Sequence, residues 1–149
     1  NAEKIAYPNN APGLYLHETN NSLVVFMNTF DEILEEVEIP NIPLNKWINV
    51  SIRIKHNIMD VYVNNNIASR HIFNSPPKQN YGSVFVNRDG GFPGYISNLR
   101  YYSKALSGIE IQKIVNKGPN LRSYEEDLSQ FVYPPYFSMR WYFNQKELV

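Results

Sequence analysis

Four glutamates crowd one short stretch of this chain: Glu32, Glu35, Glu36 and Glu38. If the stretch is extended, Glu36 and Glu38 share one face at a spacing of roughly 6–7 Å. That spacing suits a carboxylate pair for glycoside cleavage, in which one group donates a proton and the other attacks or activates water. The commoner fate of such a cluster is a solvated outer face. A second candidate is Asp89, beside Asn87 in the loop Asn87-Arg88-Asp89-Gly90-Gly91. Its oxygens are hard donors of the kind calcium prefers; Asp31 and Asp60 are looser candidates, and an Asx turn at Asp89 is the competing reading. The third group is aromatic. Trp47, Tyr62, Tyr95, Tyr101 and Tyr102 offer ring faces that can stack on the C–H face of a sugar, although core packing is the commoner use of such rings.

Other chemistries find little support. His17, His56 and His71 lie on predicted strands or turns with no ligand partner at helical spacing, so none points to a metal or a general base. The chain has no cysteine, which removes disulfides, thiolate zinc sites and a cysteine nucleophile. It fits a reducing compartment without proving one. There is no Gly-x-Ser-x-Gly elbow and no phosphate-binding glycine loop. The sequons at Asn20 and Asn49 are open to glycosylation if the chain is secreted, the first in a turn and the second within a strand.

At 149 residues, with 14 basic and 14 acidic side chains, the formal charge is zero. This balance gives no electrostatic grip on nucleic acid or an anionic membrane. Aromatic residues make up 14% of the chain, eleven of them tyrosine, which favours sheet over a helix bundle. No apolar run is long enough to span a bilayer, and no signal-peptide pattern opens the chain.

The elements that would position these residues are mostly short strands. Ile48, Val50, Ile52 and Ile54 alternate with Asn49, Ser51, Arg53 and Lys55, so period two predicts a strand over 46–56. His56-Asn57 then turns the chain into a strand over 58–63, and Asn64-Asn65-Asn66 turns it again into 67–73. Upstream, strands are predicted over 13–18, 22–27 and 32–39. Downstream they are predicted over 83–87, 95–102 and 137–143. Ser107-Gly108-Ile109-Glu110 reads as a capping box that opens a short helix, and Gly118-Pro119 closes it. Many short strands with one small helix predict an all-β fold, an antiparallel β-sandwich of jelly-roll type with one short capping helix.

Four segments in order resemble a known pattern: Lys46-Trp47-Ile48-Asn49-Val50-Ser51-Ile52; Met59-Asp60-Val61-Tyr62-Val63-Asn64; Gly94-Tyr95-Ile96-Ser97-Asn98-Leu99-Arg100-Tyr101-Tyr102; and Ala105-Leu106-Ser107. Together they are similar to laminin-G-like and pentraxin-like domains of the concanavalin A lectin-glucanase type. The wording around Asn10-Ala11-Pro12-Gly13, Pro77-Lys78-Gln79-Asn80-Tyr81 and Lys117-Gly118-Pro119-Asn120 resembles the version found in large DNA viruses of eukaryotes. The resemblance implies residues 13–118 as the sandwich, 1–12 as an entering loop that continues an upstream part of the domain, and 119–149 as a wrapping linker with a final strand. It implies a non-catalytic module on a virion or an extracellular surface, binding glycan or protein neighbours. Asn87, Asp89, Trp47, Tyr62 and Tyr95 are the residues expected at its ligand rim. No cofactor is expected beyond calcium at Asp89.

The same resemblance includes glucanases, so a glycoside hydrolase is the alternative. The Glu-x-Asp-x-x-Glu strand of those enzymes is absent, which argues against an enzyme. The aromatic-rich opening strand of the family is also missing before Gly13. The remainder of the polypeptide or a neighbouring subunit is therefore expected to complete the sheet, because an unpaired edge exposes a row of backbone donors and acceptors.

Overall fold

The computed structural model describes residues 10–87 and 91–121. The chain divides into two compact units, 1–119 and 120–149, and every described strand and helix belongs to the first. The segments expected as a final strand and as most of the entering loop lie outside the described residues.

Six strands form two antiparallel sheets, each a simple meander. β1 (Gly13–Leu16), β2 (Ser22–Met27) and β3 (Glu35–Pro40) make the first, in the order β1-β2-β3. β4 (Val50–Lys55), β5 (Ile58–Val63) and β6 (Asn66–Ile72) make the second, in the order β4-β5-β6. Period-two patterning fixes which side chains meet. In the first sheet Leu23, Val25 and Met27 share a face with their ladder partners Ile39, Val37 and Glu35. In the second, Val50, Ile52 and Ile54 pair with Val63, Val61 and Met59 on one face. These two faces supply one hydrophobic cluster with Ile42 and Phe73, in which Val25, Met59 and Val61 are fully buried. This is the all-β sandwich that the alternation predicts. Leu14 and Leu16 of β1 lie opposite Val25 and Leu23, yet each remains 46% exposed.

The turns follow the chemistry of their residues. Asn64 and Asn65 have φ of 50° and 69°, the mirror-image turn whose twist matches a two-residue hairpin, and asparagine tolerates it. Asn64 also clamps the far end of β4: its N–H donates to the Asn49 carbonyl at 2.9 Å, and its Oδ1 accepts from the Asn49 N–H at 2.9 Å. His56 takes φ of 55° in the β4–β5 turn. At Gly13 a Cβ would collide with Asn10 Oδ1 and the Tyr15 ring, the two side chains joined by the Tyr15 hydroxyl–Asn10 hydrogen bond of 2.7 Å, so a side chain there would displace them.

Helix α1 (Gly108–Lys117) begins as expected. The Ser107 side chain accepts from the Glu110 N–H, and the Glu110 carboxylate accepts from the Ser107 N–H at 2.8 Å. Gly118, with φ of 71°, closes the helix by donating to the Val115 carbonyl at 3.0 Å. Ile111 is buried, whereas Ile109 is 69% exposed.

Two expected strands are not seen among the described residues: 83–87 and 95–102 form no ladder with any of them. The left-handed Asn98, with φ of 55°, interrupts the second run, and Asn87, with φ of 52°, closes the first. Two other strands begin later than their patterns suggest. The third starts at Glu35, because Leu34 has φ of 66° and donates to Asn28 Oδ1 at 2.9 Å. The fourth starts at Val50.

Candidate functional site

Two of the five expected rim residues come together. Trp47 lies in the loop that leads into β4, and Tyr95 follows the turn at Phe92-Pro93-Gly94. Their ring centroids are 6.4 Å apart with planes tilted by 39°. Trp47 is 46% exposed and Tyr95 is 86% exposed. The spacing is within the range of attractive aromatic pairs, worth about 0.5–1.5 kcal/mol. The pair therefore holds its own geometry while presenting ring surface to solvent. Such a surface can stack on the apolar face of a sugar ring, with polar loop atoms left to meet the hydroxyls.

The remaining rim residues separate. Tyr62 is buried, on the opposite face of β5 from the core, with the Arg53 guanidinium 5.6 Å from its ring centroid. It presents no ring to a ligand, which corrects the expectation of an open platform there. Asn87 is exposed in a left-handed turn. Asp89 lies outside the described residues. Among the described residues no group of three or more histidines, cysteines or carboxylates could hold a metal.

The glutamate cluster divides by strand parity. Glu36 and Glu38 are exposed, and their ladder partners are Phe26 and Val24. No second carboxylate faces them across the ladder, and they form the solvated face that was the competing expectation. Glu35 points the other way. It is buried, accepts from Thr29 Oγ1 at 2.9 Å, and meets His71 Nε2 at 2.9 Å. The His71 ring also stands edge-on to Phe73, with centroids 5.0 Å apart. This cluster ties β3 to β6, one strand from each sheet. The carboxylate sits between the hydroxyl and the imidazole, whereas a nucleophilic triad needs the imidazole in the middle. Sequence reasoning missed the cluster. The available signal was parity, since Glu35 alternates in step with Val37 and Ile39.

Asp60 is the other buried acid. It lies on β5 and meets Arg70 Nε of β6 at 2.5 Å and Arg53 Nη2 of β4 at 2.6 Å. The hydrogen bond from Arg70 holds its carboxyl below the usual carboxylate range; burial opposes this, and Arg53 adds to it. The same carboxylate raises Arg70. On the helix, the Ser107 backbone N–H and then its hydroxyl lower Glu110. Each of these perturbed acids has a structural partner that accounts for it. A shallow depression of about 500 Å³ is lined by His56, Asn57, Asn74, Ser75, Pro76 and Pro77. It contains no carboxylate to work with His56.

No family model and no curated protein matches the chain. Among solved structures, it is similar to a segment of an S-layer domain-containing protein from Clostridium thermocellum ATCC 27405, at 16% identity with a TM-score of 0.39. The similarity covers 70% of this chain and spans about 55% of that structure's length. No described helix is long and apolar enough to cross a membrane.

Proposed function

We propose that this chain is a non-catalytic binding module of laminin-G or concanavalin A-like type, acting at a virion or extracellular surface and recognising glycan. The observation that carries the reading is the Trp47–Tyr95 pair, two solvent-facing rings at 6.4 Å and a 39° tilt. One ring supplies a stacking surface for a pyranose, and the tilted second ring covers a neighbouring edge. Exposed loop groups such as Asn45 and Asn98 are of the amide type that pairs with sugar hydroxyls. The antiparallel sandwich suits the role, because a rigid scaffold positions variable loops at its rim.

The test is a glycan array with the purified chain, run with calcium and with chelator, alongside Trp47→Ala and Tyr95→Ala. The reading expects a defined sugar set that both variants lose. Dependence on calcium would add the Asn87–Gly91 loop to the site. A blank array with folded protein would remove the glycan reading. A second reading, binding to protein neighbours, is favoured by the exposed apolar side chains between Tyr81 and Tyr102.

A further inference from the structure

The chain carries two exposed apolar surfaces of opposite charge. The first follows the Trp47–Tyr95 pair in sequence. Leu99 is 66% exposed and Tyr101 is 89% exposed, with Arg100 and Lys104 also exposed. Residues 91–107 contain no acidic side chain, and Lys104 is held by Glu110 at 3.5 Å. The second surface is the ridge that enters and follows β3. Phe30 is 68% exposed and Ile33 is 69% exposed; Asp31 and Glu32 between them, and Glu36 and Glu38 further along on β3, are exposed as well. Lys78, whose Nζ lies 5.7 Å from the Phe30 ring centroid, leaves the ridge strongly acidic.

Apolar side chains exposed in clusters mark interaction surfaces. Both surfaces belong to the same compact unit, and among the described residues neither covers the other. Between two chains they can. Their charges are complementary, and the zero formal charge of the whole chain leaves no net repulsion to keep copies apart. Among the described residues β3 is also an edge strand of its sheet. Acidic side chains on an edge discourage pairing with a like edge, but they attract a basic segment.

We propose that the chain binds a second copy of itself, with the Leu99–Tyr101 run of one copy seated on the Phe30–Glu38 ridge of the next. The two patches differ, so the contact is heterologous. Repetition closes into a ring or extends into a chain according to the rotation between copies. The contact is independent of the glycan reading, because it uses neither Trp47 nor Tyr95.

The experiment is sedimentation velocity on the full chain, from low micromolar to submillimolar concentration, at low and then high ionic strength. The expected result is reversible growth with concentration that high salt weakens, since exposed charges are screened. Glu36→Lys with Glu38→Lys in one variant, and Arg100→Glu in another, should each lose that growth. An equimolar mixture of the two should form a 1:1 dimer, because each retains the patch the other lacks and only one intact contact can form between them. Leu99→Ser, which leaves the charge unchanged, should also lose it. The unfolding midpoint of each variant should match the parent, as all four side chains are exposed. Wild-type chain that stays monomeric throughout would overturn the proposal. Association that survives both charge reversals, or a mixture that stays monomeric, would overturn it as well.

Discussion

Removing Asp60 should destabilise the second sheet more than removing either of its partners. Asp60 is 1% exposed and sits on the central strand, bonded to an arginine on each neighbour. In Asp60→Ala the two guanidinium groups fare differently. The Arg70 side chain is 52% exposed and returns to water, so its loss is small after solvent screening. The Arg53 side chain is 23% exposed and lies over the Tyr62 ring, with Nη1 on the Leu106 carbonyl at 3.3 Å. It loses a charge-assisted hydrogen bond with little access to water, a loss worth about 1.5–3 kcal/mol. The expected total is therefore about 2–3 kcal/mol, measured by urea unfolding of the full chain. Arg70→Ala should cost less, because Arg53 still pairs with Asp60.

The pH dependence has a definite sign. The Asp60 carboxyl is held below its ordinary value in the fold. Its contribution is therefore complete above the unfolded value of about 3.9 and is lost as pH falls through the depressed folded value. Asp60→Asn should flatten the acid limb of stability against pH. A loss below about 0.5 kcal/mol in Asp60→Ala, the ordinary range for surface changes, would refute the reasoning. A larger loss in Arg70→Ala than in Asp60→Ala would refute it too.

Three further outcomes follow from the same structure. Met59→Ala, at a fully buried site in the shared core, should cost about 2–5 kcal/mol by chemical denaturation. Glu35→Ala leaves buried Thr29 and the half-buried His71 without their shared acceptor, and should lower stability by about 1–3 kcal/mol in the same assay. Ser107→Ala removes the helix cap and should cost about 1 kcal/mol, with loss of helical signal in circular dichroism before the main unfolding transition.

How legible the molecule was depended on the range of each interaction. The β4–β5–β6 meander was readable because period-two alternation and asparagine turns are local properties of the chain. So was the capping box, where Ser107 and Glu110 lie three positions apart. Period two puts Tyr62 on the face opposite Met59, Val61 and Val63, but its burial depends on Arg53, which in turn reaches Leu106 at a separation of 53 residues. Nothing local signals that cover. The Glu35–His71 contact joins positions 36 apart, and the density of glutamates hid the one that turns inward. The runs at 83–87 and 95–102 have strand-like residues, but left-handed Asn87 and Asn98 end or interrupt them. Asparagine tolerates that conformation without requiring it, so the sequence does not decide the matter.

The site divides in the same way. Trp47 and Tyr95 were each recognisable as candidate platforms, but their meeting is a tertiary fact, because 48 positions separate them in the chain. The most direct test of the account is quantitative glycan binding by the full chain against Trp47→Ala. The account predicts that the parent binds a defined sugar and that the variant, still folded, loses at least about tenfold in affinity, which corresponds to about 1.4 kcal/mol. Equal binding by parent and variant, or no binding by a folded parent, would contradict it.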